Sequence, residues 1–281
     1  MPLCAAISYS EGMSGERALT SVGFAAASQP TEIEPGRWRL TVHPGWDQGR
    51  TLFGGLVAAN MANAMASFAQ PEQQLRVITT SFAAPISGDS ADILVRQDRV
   101  GKSTTFTSAE IWQGDELKTR AHAIFAESRP TSITSPPVPG VMERTLDEAQ
   151  QLPFAEGLVP NFIKHFDLRW GVGDFPYTGS KEGKIGGYCR HQEPAGGIAG
   201  ILGLLDAWPP ATLPMATGPA SGSSMNWTAH FVGPVPEANT DWYEFRYDTV
   251  AAANGYATFA GTLSKDGQVI AWTEQLGAIF A

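Results

Sequence analysis

Two neighbouring stretches in the second half of the chain show different hydrophobic periodicities. Residues 197–208 are almost wholly apolar, which predicts a buried helix, and Asp206 is the one acid near its end. From 224 to 232, apolar and polar residues alternate, which predicts a half-buried strand. The alternation places Met225, Trp227, Ala229 and Phe231 on one face and Ser224, Asn226, Thr228 and His230 on the other. Because a bare charge is costly to bury, Asp206 needs hydrogen-bond donors or a shifted pKa.

The first half of the chain combines one long helix with a run of strands. Residues 54–69 are rich in Ala, Met and Leu and stop before Pro71, so they predict the long helix. A short helix is predicted over 18–29, and Gly114-Asp115 predicts a tight turn between the last two strands. Alternating patterns predict strands at 37–44, 75–85, 91–100, 103–113 and 116–128.

A stretch rich in Pro, Ser and Thr separates two similar halves. We predict domains over 1–128 and 156–281, joined by a linker over 129–155. The helix over 197–208 lies among the strands of the second half. These strands are predicted at 167–171, 184–192, 224–232, 242–253, 257–267 and 268–281.

The two halves align as an internal repeat. Gly54-Gly55 matches Gly196-Gly197 at an offset of 142 residues, and Phe82 matches Phe231 at an offset of 149. The segment Ile-Phe-Ala at 124–126 matches 279–281 at an offset of 155. A slowly drifting offset is typical of a duplicated unit with loop insertions, although short apolar strings also match by chance. The repeat predicts an α+β fold in which each unit wraps an antiparallel sheet around a long helix.

Charge and cysteine content restrict the function. The formal net charge of −9 argues against nucleic acid as a partner, because phosphate binding needs clustered Lys and Arg. Cys4 and Cys189 are too few for a disulfide framework and lack metal-ligand spacing, which favours a reducing compartment. The first residues form neither a signal peptide nor a membrane span, so we expect a cytoplasmic protein that starts at Met1 or Met13.

Several segments resemble the type II acyl-CoA thioesterases. RTLFGGLVAANMANAMA at 50–66 resembles the R-x-x-x-G-G helix start of that family. LDAWPPA at 205–211, HFVGP at 230–234 and EQLGAIF at 274–280 resemble its C-terminal half. The resemblance covers nearly the whole chain. It implies a double hot-dog fold, hydrolysis of an acyl-CoA substrate, and no cofactor or metal.

The resemblance also implies a catalytic set in the second repeat. In the family, an Asp, a Thr or Ser hydroxyl and a Gln hold the attacking water. These positions fall on Asp206, Ser224 and Gln275. Ser224 stands where Thr is usual, and Asn226 stands where Asp is frequent, which removes a charge from the neighbourhood.

These residue types fit thioester hydrolysis. Asp206 can accept a proton from water, while Ser224 and Gln275 can orient the water molecule. Backbone N–H groups of a helix that begins at Gly54-Gly55, or at Gly196-Gly197, can polarise the thioester carbonyl because they lack intrahelical partners. Candidates for binding the CoA phosphates are Arg50, Arg76, Arg99 and Lys102.

Each candidate also has a purely structural interpretation. Asp206 can satisfy a helix end, Ser224 can be an ordinary strand residue, and Gln275 can be an edge-strand amide. The repeat alignment favours a site, because it places Ala64, Leu75 and Arg120 opposite the three residues. The polar set therefore occurs in one copy. No two histidines have metal-ligand spacing and no G-x-S-x-G motif occurs.

Two other functions stay open at this point. A hot-dog enoyl-CoA hydratase relies on an Asp/His or His/Glu pair at a helix start, whereas Gly54-Gly55 is followed by apolar residues. A non-catalytic acyl-CoA- or lipid-binding protein would tolerate Ser224 and Asn226 as they stand. We expect acyl-CoA as the partner, no nucleic acid or membrane partner, and a homo-oligomer.

Overall fold

A computed structural model describes residues 22–157 and 159–280 of the chain. Three α-helices are present in this part: α1 (Phe24–Ala27), α2 (Gly54–Ala66) and α3 (Gly197–Leu205), with 3-10 turns at Asn161–His165 and Leu213–Met215. The strands are β1 (Thr31–Glu34), β2 (Arg37–Thr41), β3 (Asp47–Gln48), β4 (Thr51–Leu52), β5 (Gln74–Phe82), β6 (Ser90–Val100), β7 (Thr104–Gln113), β8 (Glu116–Ala126), β9 (Gln150–Gln151), β10 (Phe166–Val172), β11 (Lys184–His191), β12 (Ser221–Phe231), β13 (Tyr243–Ala253), β14 (Tyr256–Lys265) and β15 (Gln268–Phe280).

Thirteen of these strands form one antiparallel sheet, in the order β1-β2-β6-β7-β8-β5-β12-β15-β14-β13-β11-β10-β9, while β3 and β4 form a separate hairpin. The two halves of the chain meet where β5 pairs with β12, with Ser81 opposite Asn226 and Val77 opposite His230. Across this join the hydroxyls of Thr79 and Thr228 lie 3.0 Å apart. The antiparallel sheet expected from the alternating patterns is therefore confirmed, and it is continuous through both halves.

The two main helices contact each other and bury most of their residues in the core. Both are shorter than predicted. α2 ends at Ala66, where the Ser67 hydroxyl donates to the Ala64 carbonyl at 2.7 Å. α3 has nine residues and ends at Leu205. Its predicted end at Trp208 is disfavoured, because the ring of Pro209 restricts helical backbone in the residue before it. A long helix in each repeat is therefore not confirmed.

Every strand predicted from the alternation is present, and its ends shift by at most three residues. Sequence analysis missed β1, β3, β4 and β9, which have four residues or fewer and are too short to show a period. Of the helix predicted over 18–29, α1 forms 24–27, and residues 18–21 lie outside the described part.

The end of the predicted linker packs against the second half of the sheet. Glu143 and Arg144 donate backbone N–H groups to the Gly171 carbonyl at 3.0 and 3.1 Å. Gln150 and Gln151 form β9, which pairs with β10 at the sheet edge. The domain boundaries at 128 and 155 stay predictions.

A β-bulge interrupts β12 beside α3. Trp227 pairs with Gln275 and Asn226 with Leu276, but the next partner, Gly277, pairs with Ser224 and skips Met225. Met225 is the extra residue and is 42% exposed, whereas Trp227 is 2% exposed. The strict alternation predicted for this strand is therefore wrong at two positions: Ser224 takes the face assigned to Met225.

The strand pairing refines the internal repeat. β5 carries the same bulge, with Leu75 opposite Phe125 and Val77 opposite Ile124, so the offset of 149 between β5 and β12 is confirmed. The last strands align at 152 rather than 155, because Trp227 and Gln275 correspond to Ile78 and Ala123. Gln275 thus corresponds to Ala123, not Arg120.

The helices also align one residue from the expected register. The first helical residues are Gly54 and Gly197, so Asp206 corresponds to Asn63 rather than Ala64. The first repeat has an amide rather than an acid at this position, and the combination of an acid, a hydroxyl and an amide still occurs in one copy.

The bulge predicts unequal effects of two substitutions in β12. Met225→Ser should change the free energy of unfolding by less than about 1 kcal/mol, because the side chain is exposed. Trp227→Ala should reduce it by about 3–5 kcal/mol, because it removes a buried aromatic side chain. Urea unfolding followed by circular dichroism measures both. If β12 were a regular strand, Met225 would be buried. A loss of stability on Met225→Ser as large as that of a core substitution would therefore contradict the bulge.

Candidate active site

Asp206 connects the end of α3 to the beginning of α2. It directly follows the last residue of α3, and its carboxylate accepts the backbone N–H of Gly55 in the first turn of α2. The two glycines of α2 allow this approach. A Cβ atom on Gly54 would lie 2.8 Å from Asp206 Oδ2, and one on Gly55 would lie 3.1 Å from Asp206 Cβ. The pair Gly54-Gly55 therefore provides space for the carboxylate at a helix N-terminus, where negative charge is stabilised.

The protonation of Asp206 is set by two opposing influences. Burial raises the pKa of the carboxyl to about 7, while the Gly55 N–H and the Gln275 amide act to lower it. A carboxylate with a pKa near neutrality can take up and release a proton in the physiological pH range.

The structure brings Ser224 and Gln275 to the same place. Gln275 lies on β15, and its Nε2 donates to Ser224 Oγ at 2.7 Å and also stabilises the Asp206 carboxylate. β15 lies between β12 and β14, so Gln275 is not on an edge strand. The bulge at Met225 places Ser224 on the same face as Gln275, because it pairs Ser224 with Gly277, two residues beyond Gln275 on β15.

One residue of this network was missed in the sequence. The Tyr247 hydroxyl on β13 donates to Gln275 Oε1 at 3.1 Å. The alternation of β13 does predict Tyr243, Phe245 and Tyr247 on one buried face, as the structure has them. The partner of the hydroxyl depends on the register across β14 to β15, which local sequence patterns do not specify.

Asp206 and Ser224 line a cavity of about 490 Å³. Gly54 and Arg50 also border it, Gly54 at the start of α2 and Arg50, an exposed residue, between β3 and β4. A smaller adjoining cavity reaches Asp206, Ser224 and Gln275. The apolar part of the larger cavity is formed by Leu52, Val57, Phe82, Ala83, Ala84, Pro85 and Ile86. The arrangement offers a polar end beside an apolar chamber.

Other residues singled out in the sequence lie elsewhere. Gly197 and Arg76 line a separate cavity at the opposite ends of the helices, and Arg99 and Lys102 line neither cavity beside Asp206. Asn226 donates to Ser81 Oγ at 3.0 Å across the join of the two halves and does not line the Asp206 cavities. Position 226 is therefore not part of the cavity wall, and the absence of an acid there removes no charge from that wall.

The histidines, all in the described part of the chain, do not line these cavities. His165 and His191 pack in an aromatic cluster with Phe24, Trp46 and Phe166. Burial lowers the pKa of each to about 4, so both are neutral at physiological pH. Within residues 22–157 and 159–280, no group of three or more His, Cys, Asp or Glu side chains is arranged to hold a metal ion.

Comparison with solved structures supports the fold. A hot-dog protein of unknown function from Alicyclobacillus acidocaldarius superposes with a TM-score of 0.80 at 20% identity, covering 92% of this chain and 98% of its own. The tesB protein of Mycobacterium avium subsp. paratuberculosis gives 0.72 at 15%, with coverages of 91% and 98%. Acyl-CoA thioesterase II of Mycobacterium marinum gives 0.69 at 16%, with coverages of 92% and 98%. At such identities these structures show a shared hot-dog fold.

Sequence comparison supplies the family. No curated protein sequence matches the chain significantly. Two family models do match: the acyl-CoA thioesterase N-terminal domain over residues 42–126 and the acyl-CoA thioesterase C-terminal domain over residues 146–279. Because these two matches together span most of both repeats, the chain belongs to the acyl-CoA thioesterase family.

Proposed function

We propose that the protein hydrolyses the thioester bond of an acyl-CoA, with the attacking water held by Asp206, Ser224 and Gln275. The observation that carries this proposal is the convergence of the three side chains beside one cavity, at the start of α2. Membership of the acyl-CoA thioesterase family supports the same reaction class.

In the proposed reaction, Asp206 acts as the general base. Its carboxylate takes a proton from water as the water oxygen bonds to the thioester carbonyl carbon, and the carbonyl oxygen becomes an oxyanion. The C–S bond then breaks, and the CoA thiolate takes the proton from Asp206. A thiol has an ordinary pKa of about 8.5, so proton transfer from a carboxyl of pKa about 7 to the thiolate is favourable. The products are a free carboxylic acid and CoA thiol.

The neighbouring groups have distinct roles in this proposal. Ser224 orients the water, because a hydroxyl can both donate and accept hydrogen bonds. Gln275 acts through its NH₂ group, since its oxygen already accepts from Tyr247. The Gly55 N–H donates to Asp206. The backbone N–H of Gly54, on the cavity wall, is therefore the group assigned to polarise the thioester oxygen. Arg50 at the cavity border is the candidate for the CoA phosphates.

Two alternatives make different predictions. A hot-dog hydratase would add water across the double bond of crotonyl-CoA, which ultraviolet absorbance measures directly. No histidine lines the described cavity, so we expect no hydration. A non-catalytic binding protein would hold an acyl-CoA without releasing thiol, which calorimetry combined with a thiol assay distinguishes from turnover.

Other expectations extend the proposal. No helix in the described residues is long and apolar enough to cross a membrane. The homo-oligomeric state, to be measured by light scattering, and the cytoplasmic location remain predictions.

Asp206→Asn should reduce kcat for acyl-CoA hydrolysis by about 10²–10⁴-fold, because an amide cannot accept the proton from water. The raised pKa means that folding disfavours the ionised carboxylate, so wild type loses stability relative to the variant as pH rises from about 4 through 7. The variant should therefore fold at least as stably as wild type at pH 8. A thiol-release assay across acyl-chain lengths measures the first effect, and urea unfolding the second.

Asp167→Asn is the matched control for this substitution. Asp167 pairs with Arg190 on β10 and β11, away from the cavity, so its substitution should leave turnover unchanged. Equal thiol release by wild type and Asp206→Asn would contradict the assignment, and no release by wild type with any chain length would contradict the proposed function.

The pH dependence should report the same carboxylate. The free enzyme needs Asp206 ionised, so kcat/KM should rise about tenfold per pH unit below the pKa of about 7 and level off above it. Steady-state rates between pH 5 and 9 measure this profile. A rate that is independent of pH from 5 to 8 would exclude Asp206 as the base.

A further inference from the structure

The Gln275 amide lies between two different partners. Its Oε1 accepts from the Tyr247 hydroxyl at 3.1 Å, while its Nε2 donates to Ser224 Oγ at 2.7 Å and stabilises the Asp206 carboxylate. The two ends of a carboxamide have nearly the same size, so packing alone hardly distinguishes one orientation from its 180° flip. The hydrogen-bond partners decide which end faces Asp206.

Tyr247 is suited to fix this orientation. Its side chain is 5% exposed and packs between the rings of Phe245 and Phe259, each with its centroid 5.4 Å away. Burial and then the charge of Asp206 raise the pKa of the phenol well above its usual value, so the hydroxyl keeps its proton at all physiological pH values. A flip of Gln275 would place its oxygen against the Asp206 carboxylate.

The repeat provides independent support. Tyr247 pairs with Gly261 and Phe259 pairs with Gln275; in the first repeat Val95 pairs with Ala109 and Thr107 pairs with Ala123. Since Gln275 corresponds to Ala123, Tyr247 corresponds to Val95. Both counterparts are apolar and buried. The first repeat therefore forms the same sheet with Val95 in place of the tyrosine, and there the position of Gln275 is occupied by Ala123, which has no amide to orient.

We infer that Tyr247 is a positioning residue that directs the NH₂ group of Gln275 towards Ser224 and Asp206. This inference rests on the proposed function, because it assigns Tyr247 a role in preparing the hydrolytic base. Tyr247 does not line the cavity and acts through Gln275. Among the described residues that line the two cavities, Arg50 and Asp206 are the charged ones.

The test is Tyr247→Phe, with Tyr243→Phe as the matched control. Tyr243 is on the same strand and equally buried, but its hydroxyl contacts Asn239 instead. We expect Tyr247→Phe to lower kcat by about tenfold with KM changed by less than about twofold, because one oriented hydrogen bond is lost. The midpoint of the pH–rate profile should move upward, because the carboxylate loses a fixed donor. The control should change neither.

A double-mutant cycle separates positioning from general destabilisation. If Tyr247 acts through Gln275, adding Tyr247→Phe to Gln275→Ala should change kcat by less than about twofold. Full additivity of the two substitutions would overturn the inference, as would a folded Tyr247→Phe variant with the kcat and pH midpoint of wild type.

A spectroscopic measurement tests the inference without turnover. Difference infrared spectroscopy can follow the carboxyl band of Asp206, which is identified by its loss in Asp206→Asn. The pH midpoint at which this band titrates should be higher in Tyr247→Phe than in wild type. An unchanged midpoint would overturn the positioning role. If wild type releases no thiol from any acyl-CoA, the proposed function fails, and this titration still decides the role of Tyr247.

Discussion

The site depends on the close approach of the Asp206 carboxylate to the N-terminus of α2. A helix N-terminus stabilises negative charge, and burial opposes it; the balance places the pKa of Asp206 at about 7. The approach requires glycine at the start of the helix, because a Cβ at Gly54 would lie within 2.8 Å of Asp206 Oδ2. The contact of Asp206 with Gly54-Gly55 therefore determines both how closely the ends of α3 and α2 approach and the surroundings of the carboxyl.

The bulge in β12 extends this constraint to the sheet. In a regular strand of the same sequence, Met225 would oppose Gly277, and the Ser224 hydroxyl would lie on the other face of the sheet. With the bulge, Ser224 lies within 2.7 Å of the Gln275 amide. The first repeat has the same bulge with Arg76 as the extra residue, so both repeats share this irregularity of the backbone. The two repeats therefore differ at this place in their side chains and not in the pairing of the backbone.

Much of the fold and part of the site could be predicted from the sequence, for physical reasons. Alternation identified every strand long enough to show a period, and the Ala-rich pattern identified α2. Asp206 was recognisable because an acid in an apolar stretch is costly. The bulge in β12 could not be recognised in this way, because a periodic pattern assumes that each residue has one partner on the neighbouring strand. The bulge reversed the faces predicted for Ser224 and Met225. Tyr247 was missed because its partner lies two strands away.

The two repeats create two similar junctions between helix ends, and they differ in chemistry. At one, α3 ends at Asp206 and α2 begins with Gly54-Gly55; at the other, Ala66 of α2 and Gly197 of α3 border a separate cavity. The first junction carries Ser224, Gln275 and Tyr247, and the corresponding positions of the other repeat are Leu75, Ala123 and Val95. Each of these polar side chains has a partner within one network, whereas any one of them placed alone among apolar residues would be a buried polar group lacking a partner. These residues are favourable only as a set, which explains why they are found together in one repeat.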